Sequence, residues 1–265
     1  MFRLIATDVD GTLLQEGAHD LDPAYYDIIQ QLSAKGISFC VCSGRQYHSI
    51  RQMFAPVAED IFYIAENGTL VRTAQEILHI RSLEPEACVP LIEEIRRIPG
   101  ADMVVSGPDL SWVDSGEDSH LYHLLKDHYQ YRLENIPDLT AVPPAEIIKI
   151  SVYHAEGDRG LQGLLRSRWN RDLELCASGV TWVDICPKNA GKGTALAFLQ
   201  QHLGVSREET LYFGDNMNDL PAFARAGLAG TVENARPEVK EKADFVADRY
   251  EDLGVLKKLR QIFEL

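Results

Sequence analysis

Asp8 and Asp10 stand two residues apart at the end of a short apolar run, residues 2–7, and lead into Gly11-Thr12-Leu13-Leu14. Side chains two apart on an extended strand leave it on the same side, so both carboxylates can converge on one ligand. A second run, Gly214-Asp215-Asn216-Met217-Asn218-Asp219, also follows an apolar stretch and brings two more carboxylates, Asp215 and Asp219. Four carboxylates in one site repel: even at an effective dielectric of 20, each pair of charges at 4 Å costs about 4 kcal/mol. A hard divalent cation resolves the conflict. Mg²⁺ prefers an octahedron of oxygen ligands and keeps several waters, so one or two carboxylates, a backbone carbonyl and a substrate oxygen would complete its shell. Lys192, in Asn189-Ala190-Gly191-Lys192-Gly193, and Arg45 are the protein cations that could assist. Any one of these aspartates is equally well explained as a helix cap or a turn residue. Their joint placement at strand ends, in order along the chain, is what points to chemistry.

Such residues need strands that end together. Residues 2–7, 37–42 and 61–65 read as buried strands, ending in Asp8-Val9-Asp10-Gly11-Thr12, Ser43-Gly44-Arg45 and Glu66-Asn67-Gly68. Between the first two, Asp22 and Pro23 open a helix with apolar Tyr26, Ile29 and Leu32 that stops before Gly36, and a second helix follows Arg45. This alternation predicts an α/β fold with a doubly wound parallel sheet, whose ligands lie outside the carboxyl ends of the strands. The rhythm changes after about residue 81. There the pattern gives a helix (85–98), a hairpin (103–113) turning through Gly107-Pro108-Asp109, a polar helix (120–128) and an apolar strand (147–153). A helix (160–170) and two alternating strands (173–177 and 180–186) around Ser178-Gly179 follow. From Lys188 the first rhythm resumes, with a helix (193–203), a strand (210–213), the polar turn (214–219), a helix (220–226) and a last helix ending at residue 265. The expected organisation is a discontinuous Rossmann-type core, residues 1–82 and 185–265, with an inserted α+β cap domain, residues 83–184.

Composition narrows the function classes. With 45% hydrophobic and 25% charged residues, the chain has the makeup of a globular protein and not of a disordered one. Its net charge of −14 repels phosphate backbones, which argues against nucleic acid or an anionic membrane as a partner and requires local cations for any anionic substrate. The apolar run at residues 2–6 is too short for a signal-peptide core, and no stretch has the roughly 18 apolar residues of a membrane span, so a cytosolic, cytoplasmic protein is expected. Cys40, Cys42, Cys88, Cys176 and Cys186 are odd in number and form no CxxC pair, which fits free thiols. Gly191-Lys192-Gly193-Thr194 is not a nucleotide P-loop, because Gly follows the lysine and Cys186 stands where the first glycine is required. His120, His123 and His128 read as a solvated face, and the acidic stretch 114–118 as a solvated turn.

The ordered segments Asp8-Val9-Asp10-Gly11-Thr12-Leu13-Leu14, Cys42-Ser43-Gly44-Arg45, Asn67-Gly68, Lys192-Gly193 and Gly214-Asp215-Asn216-Met217-Asn218-Asp219 resemble the motifs of the haloacid dehalogenase (HAD) superfamily. More narrowly the chain resembles its Cof-type phosphatases, which carry a large α/β cap inserted in the core. The resemblance implies that Asp8 attacks phosphorus in line to form an aspartyl phosphate, and that Asp10 protonates the leaving oxygen and then deprotonates water. It implies that Ser43 holds phosphate oxygens, that Lys192 offsets the charge on Asp8 and the transferring group, and that Gly44, Arg45, Asn67 and Asn218 bind substrate. Mg²⁺ would be bound by Asp8, Asp215 and the Asp10 carbonyl, with Asp219 and Asn218 orienting Lys192 and the metal shell. Asp10 also separates this pattern from that of cation-pumping ATPases, which have Thr there and so let the phosphoenzyme persist. The implied activity is Mg²⁺-dependent hydrolysis of small phosphorylated metabolites such as sugar phosphates. A phosphomutase using the same residues, or a silent phosphate-ligand sensor on the same fold, are the alternatives.

Overall fold

A computed structural model describes residues 1–157, 160–169, 171–177 and 181–265. The first strand, β1 (Leu4–Thr7), is wholly buried, as a strand apolar on both faces must be in a parallel sheet covered on both sides. It is followed by β2 (Ser38–Cys42), β3 (Ile61–Ala65), β4 (Leu70–Arg72) and β5 (Ile77–Ile80). Strands β6 (Ala101–Ser106), β7 (Ser111–Val113), β8 (Leu133–Asn135), β9 (Lys149–His154), β10 (Leu173–Ala177) and β11 (Trp182–Pro187) come next, and β12 (Thr210–Phe213), β13 (Leu228–Val232) and β14 (Phe245–Ala247) close the series. Among the described residues these form two sheets, ordered β14-β13-β12-β1-β2-β3-β4-β5 and β10-β11-β9-β6-β7-β8.

In the first sheet the strands from β14 through β3 run parallel, and β4 and β5 add an antiparallel edge. Thr7 lies opposite both Phe213 and Val41, so β1 and β12 end at one level and β2 one residue beyond it, which gathers Asp8, Gly214 and Ser43 at one edge of the sheet. Alternation along β1 sends Ile5 into an apolar cluster with helix Ala24–Ala34 and helix Gly254–Phe263. It sends Leu4 and Ala6 into another with helix Lys192–Leu203. Helices thus cover both faces, as the doubly wound reading expects.

The second sheet is antiparallel except for the β7–β8 pair, and has its own apolar cluster with helices Pro85–Ile95 and Leu161–Trp169. β11 stays in this sheet as far as Pro187. The turn expected at Ser178-Gly179, the helix end at Asn170 and the strand start at Val180 lie outside the described residues. The expected polar helix is a single turn, His120–His123, continued by a wider turn, Leu124–His128. There His123 pairs with Asp127 at the surface and His120 meets the Tyr153 hydroxyl. The cysteines are free thiols, with Cys176 half-buried and the rest buried. Among the described residues no helix is long and apolar enough to cross a membrane.

Candidate active site

Where β1 ends, the Asp8 N–H donates to the Phe213 carbonyl at 2.8 Å, which holds the carboxylate at the sheet edge. Asp8 is nearly buried, and its Oδ1 accepts from Lys192 Nζ at 2.6 Å. The same ammonium donates to Asp219 Oδ1 at 2.7 Å. Asp219 is saturated: Oδ1 also accepts from the Tyr212 hydroxyl at 2.8 Å, and Oδ2 accepts from the N–H groups of Asp215 and Asn216 at 3.1 Å each. A carboxylate so occupied positions Lys192 and the 214–219 turn and has little left for a ligand. Gly214 is needed beside it, because a Cβ there would overlap the Asp219 carboxylate. Gly11, at φ +77°, faces the Asp215 carboxylate in the same way. Asp215 Oδ1 accepts from the Thr12 hydroxyl at 3.1 Å.

Carboxylate oxygens of Asp8, Asp215 and Asp219 lie within 4.8 Å of one another. Burial, and then the Asp219 charge, push the Asp215 carboxyl up to about 7. Burial raises Asp8 well above the usual range, against the pull of Lys192 and with the added push of Asp219 and Asp215. Burial opposes the Lys192 charge too, but Asp219 and Asp8 outweigh it and hold the ammonium well above the lysine range. Three carboxylates therefore share one cation, and the negative charge here is under-compensated. A divalent cation fits this deficit, and Asp8 and Asp215 are the carboxylates of the trio that also line the cavity. Asp215→Asn is expected to raise the melting temperature of the metal-free protein, because a repelled charge is gone. The same variant should abolish the further rise that Mg²⁺ gives the native chain, and a thermal shift series over Mg²⁺ concentration measures both.

Asp10 lines the same cavity but has its own set of partners. Arg45 forks across it, with Nε donating to Oδ2 at 2.8 Å and Nη2 to Oδ1 at 2.5 Å, and Oδ1 also accepts from the Gly17 N–H at 3.0 Å. Arg45 Nη2 reaches the Ala18 carbonyl at 2.8 Å as well, and its guanidinium lies over the Tyr129 ring. The Ser43 hydroxyl is buried and accepts from the Arg45 N–H at 3.1 Å, so it sits behind the site wall. Glu66, Asn67 and Gly68 turn after β3 with φ of 51°, 56° and 92°. This left-handed turn brings Asn67 Oδ1 within 2.9 Å of Asn218 Nδ2, which donates to it.

Between the two sheets lies a cavity of about 130 Å³. Asp8, Asp10, Gly44, Arg45, Asp215 and Asn218 line it, while Lys192, Asp219, Ser43 and Asn67 stand behind that lining. The second sheet contributes Lys149, Ser151 and Asp184, which sequence reading did not single out. Lys149 Nζ meets Glu66 Oε2 at 2.5 Å, donates to the Gly44 carbonyl at 2.8 Å and lies 3.7 Å from Asp184 Oδ2. Asp184 Oδ1 accepts from the Ser151 hydroxyl at 2.5 Å, and Asp184 also accepts from Asn67 Nδ2. The signal was present: Lys149 and Ser151 alternate with Ile148, Ile150 and Val152, a polar face on a strand that is otherwise apolar.

A parallel sheet covered by helices on both faces, with acidic side chains gathered over a cavity at its strand ends, places the chain among the Rossmann-type α/β proteins. The family model for haloacid dehalogenase-like hydrolases matches residues 5–259, and the chain belongs to that family. It is 29% identical to the HMP-PP phosphatase of Cronobacter sakazakii, over 90% of this chain and 87% of that protein. A crystal structure from Eubacterium rectale superposes with a TM-score of 0.88 at 35% identity, covering 98% of this chain and 99% of the other. The TM0651 protein of Thermotoga maritima gives 0.84 at 27% identity, over 98% and 97%.

Proposed function

We propose that this hydrolase is a Mg²⁺-dependent phosphatase of small phosphate monoesters, working through an aspartyl phosphate on Asp8. The observation that carries this reading is the Asp8, Lys192 and Asp219 chain of contacts beside Asp215, set under the cavity. It offers a carboxylate to attack phosphorus, a fixed cation to offset the charge that gathers there, and an acidic pair short of cations. A relative named as a phosphatase supports the same reading.

In this mechanism Asp8 forms a bond to phosphorus as the ester P–O bond breaks, and Asp10 gives its proton to the departing oxygen. Water then attacks the acyl phosphate, its proton passes to Asp10, and inorganic phosphate leaves with the Asp8 carboxylate restored. The two-point contact with Arg45 holds Asp10 as the carboxylate that takes the proton of water, and one of its two bonds opens when Asp10 carries the proton for the departing oxygen. Gly44, Arg45, Asn67 and Asn218 serve the substrate, directly or by support, and Ser43 braces the loop that carries Arg45. Asp8, Asp215 and the Asp10 carbonyl would hold Mg²⁺, which when bound would neutralise charge on the phosphoryl oxygens. Residues 83–184 act as the cap. Buried contacts between it and the core, from Gln46 to Ser111 and to the Arg132 backbone, hold it against the first sheet.

Release of phosphate from an aryl phosphate tests the proposal. Activity should vanish with excess chelator and return with Mg²⁺, while Ca²⁺ should restore little because its larger, looser shell misplaces the nucleophile. Full activity in chelator would end the metal-dependent reading, and no release under any condition would favour a ligand sensor.

A further inference from the structure

The part of the cavity wall supplied by residues 104–184 has a definite chemistry of its own. Tyr129, Tyr131 and Trp182 supply aromatic surface there, and Val104 and Leu125 apolar surface. Tyr129 and Trp182 meet edge to face, with ring centroids 6.4 Å apart and planes at 88°. A flat ring placed against such a corner gains both burial and aromatic contact. The cavity, about 130 Å³ in volume and open to solvent on one side, offers this corner to a single ring.

Charge around the cavity is equally specific. Among the described residues lining the cavity the cations are Arg45 and Lys149, and both are already matched. Arg45 is held by both oxygens of Asp10, and Lys149 lies against Glu66 and Asp184. Glu16 adds an acid to the lining with no cation of its own in ion-pair contact among the described residues. A second phosphate entering here would meet Asp10, Glu16 and Asp184 with no uncommitted positive charge. One buried donor does remain: Arg45 Nη1 has no hydrogen-bond partner although the side chain is only 2% exposed. It can donate to an oxygen or nitrogen acceptor on the leaving group.

We infer that the cavity selects phosphate monoesters whose leaving group is one uncharged ring, seated against Tyr129 and Trp182, and rejects molecules carrying a second phosphate. This rests on the phosphatase reading above and names the substrate class for that site. The matched probes are benzyl phosphate, the same ring with a second phosphonooxymethyl group in the para position, and ethyl phosphate, each assayed by phosphate release with the full chain in Mg²⁺. The expected order is benzyl phosphate above the bisphosphate by about tenfold or more in kcat/KM, after correction for its two equivalent esters. Glu16→Lys should raise the ratio of bisphosphate to monophosphate efficiency by roughly tenfold, since an acid at the cavity becomes a cation on an exposed residue that the fold does not need. Tyr129→Ala should lower the ratio of benzyl to ethyl phosphate efficiency by about tenfold through KM. Equal or better use of the bisphosphate by the native chain, or ratios unmoved by both substitutions, would overturn the inference and leave the phosphatase reading intact. Absence of phosphate release from all three probes would instead remove the phosphatase reading on which it stands.

Discussion

Asp8→Asn is expected to lower turnover by at least about a thousandfold, because an amide cannot form the acyl phosphate that the two-step route requires. The substitution is nearly isosteric, and Asn can still accept from Lys192, which also keeps Asp219 as a counter-charge at 2.7 Å. The variant should therefore fold. Denaturant unfolding checks that, and phosphate release measures the loss. Turnover above a thousandth of the native rate in a folded variant would mean that water attacks the ester directly and that Asp8 only shapes the site.

Asp10→Ala should separate the two half-reactions. With an aryl phosphate whose phenol needs no proton, Asp8 is still phosphorylated, but hydrolysis of the adduct slows by about 10²- to 10⁴-fold, the usual worth of a positioned general base. Rapid quench and mass spectrometry should then find phosphate accumulating on the peptide that contains Asp8. An alkyl phosphate should leave little adduct, because its first step also lacks the proton donor. Removing Asp10 also strips the buried Arg45 of its two-point partner, a change that can cost a few kcal/mol by itself. Asp10→Asn retains a hydrogen-bond partner for Arg45, so it should show the same slow hydrolysis with stability closer to native. A native rate in both variants, with no adduct, would reduce Asp10 to a turn residue and end the two-step mechanism.

The position of the candidate site was legible in the sequence because many of its residues lie just past buried strands. A strand end is readable from an apolar run, and Asp8, Ser43, Asn67 and Asp215 each follow one. The bounds of β3, β10 and β12 follow from the same signal. Short or exposed strands were not readable. β14 has three residues, β5 shows solvent at Ile77 and Ile80, and β13 carries Gly230, whose missing side chain makes room for the Phe245 ring. Lys149, Asp184 and Glu66 escaped for a different reason. Each is an ordinary charged residue locally, and only the packing of one sheet over the other turns them into a buried set. The pairing of Arg45 with Asp10 is likewise invisible before folding, since 35 residues separate them.

The left-handed turn at Glu66, Asn67 and Gly68 bears on how such proteins diversify. Holding two non-glycine residues in that conformation costs roughly 1–2 kcal/mol each, and the offsetting contacts, to Lys149 and Asp184, come from the other sheet. The segment over the cavity is therefore not an interchangeable module. A recombinant carrying a foreign segment would inherit a buried Glu66 carboxylate and a strained loop, and Asn67 is the side chain that receives Asn218. Exchange between relatives is compatible with this scaffold only where the incoming strand brings its own cation opposite Glu66 and its own acceptor opposite Asn67, so those two positions mark the true seam of the molecule.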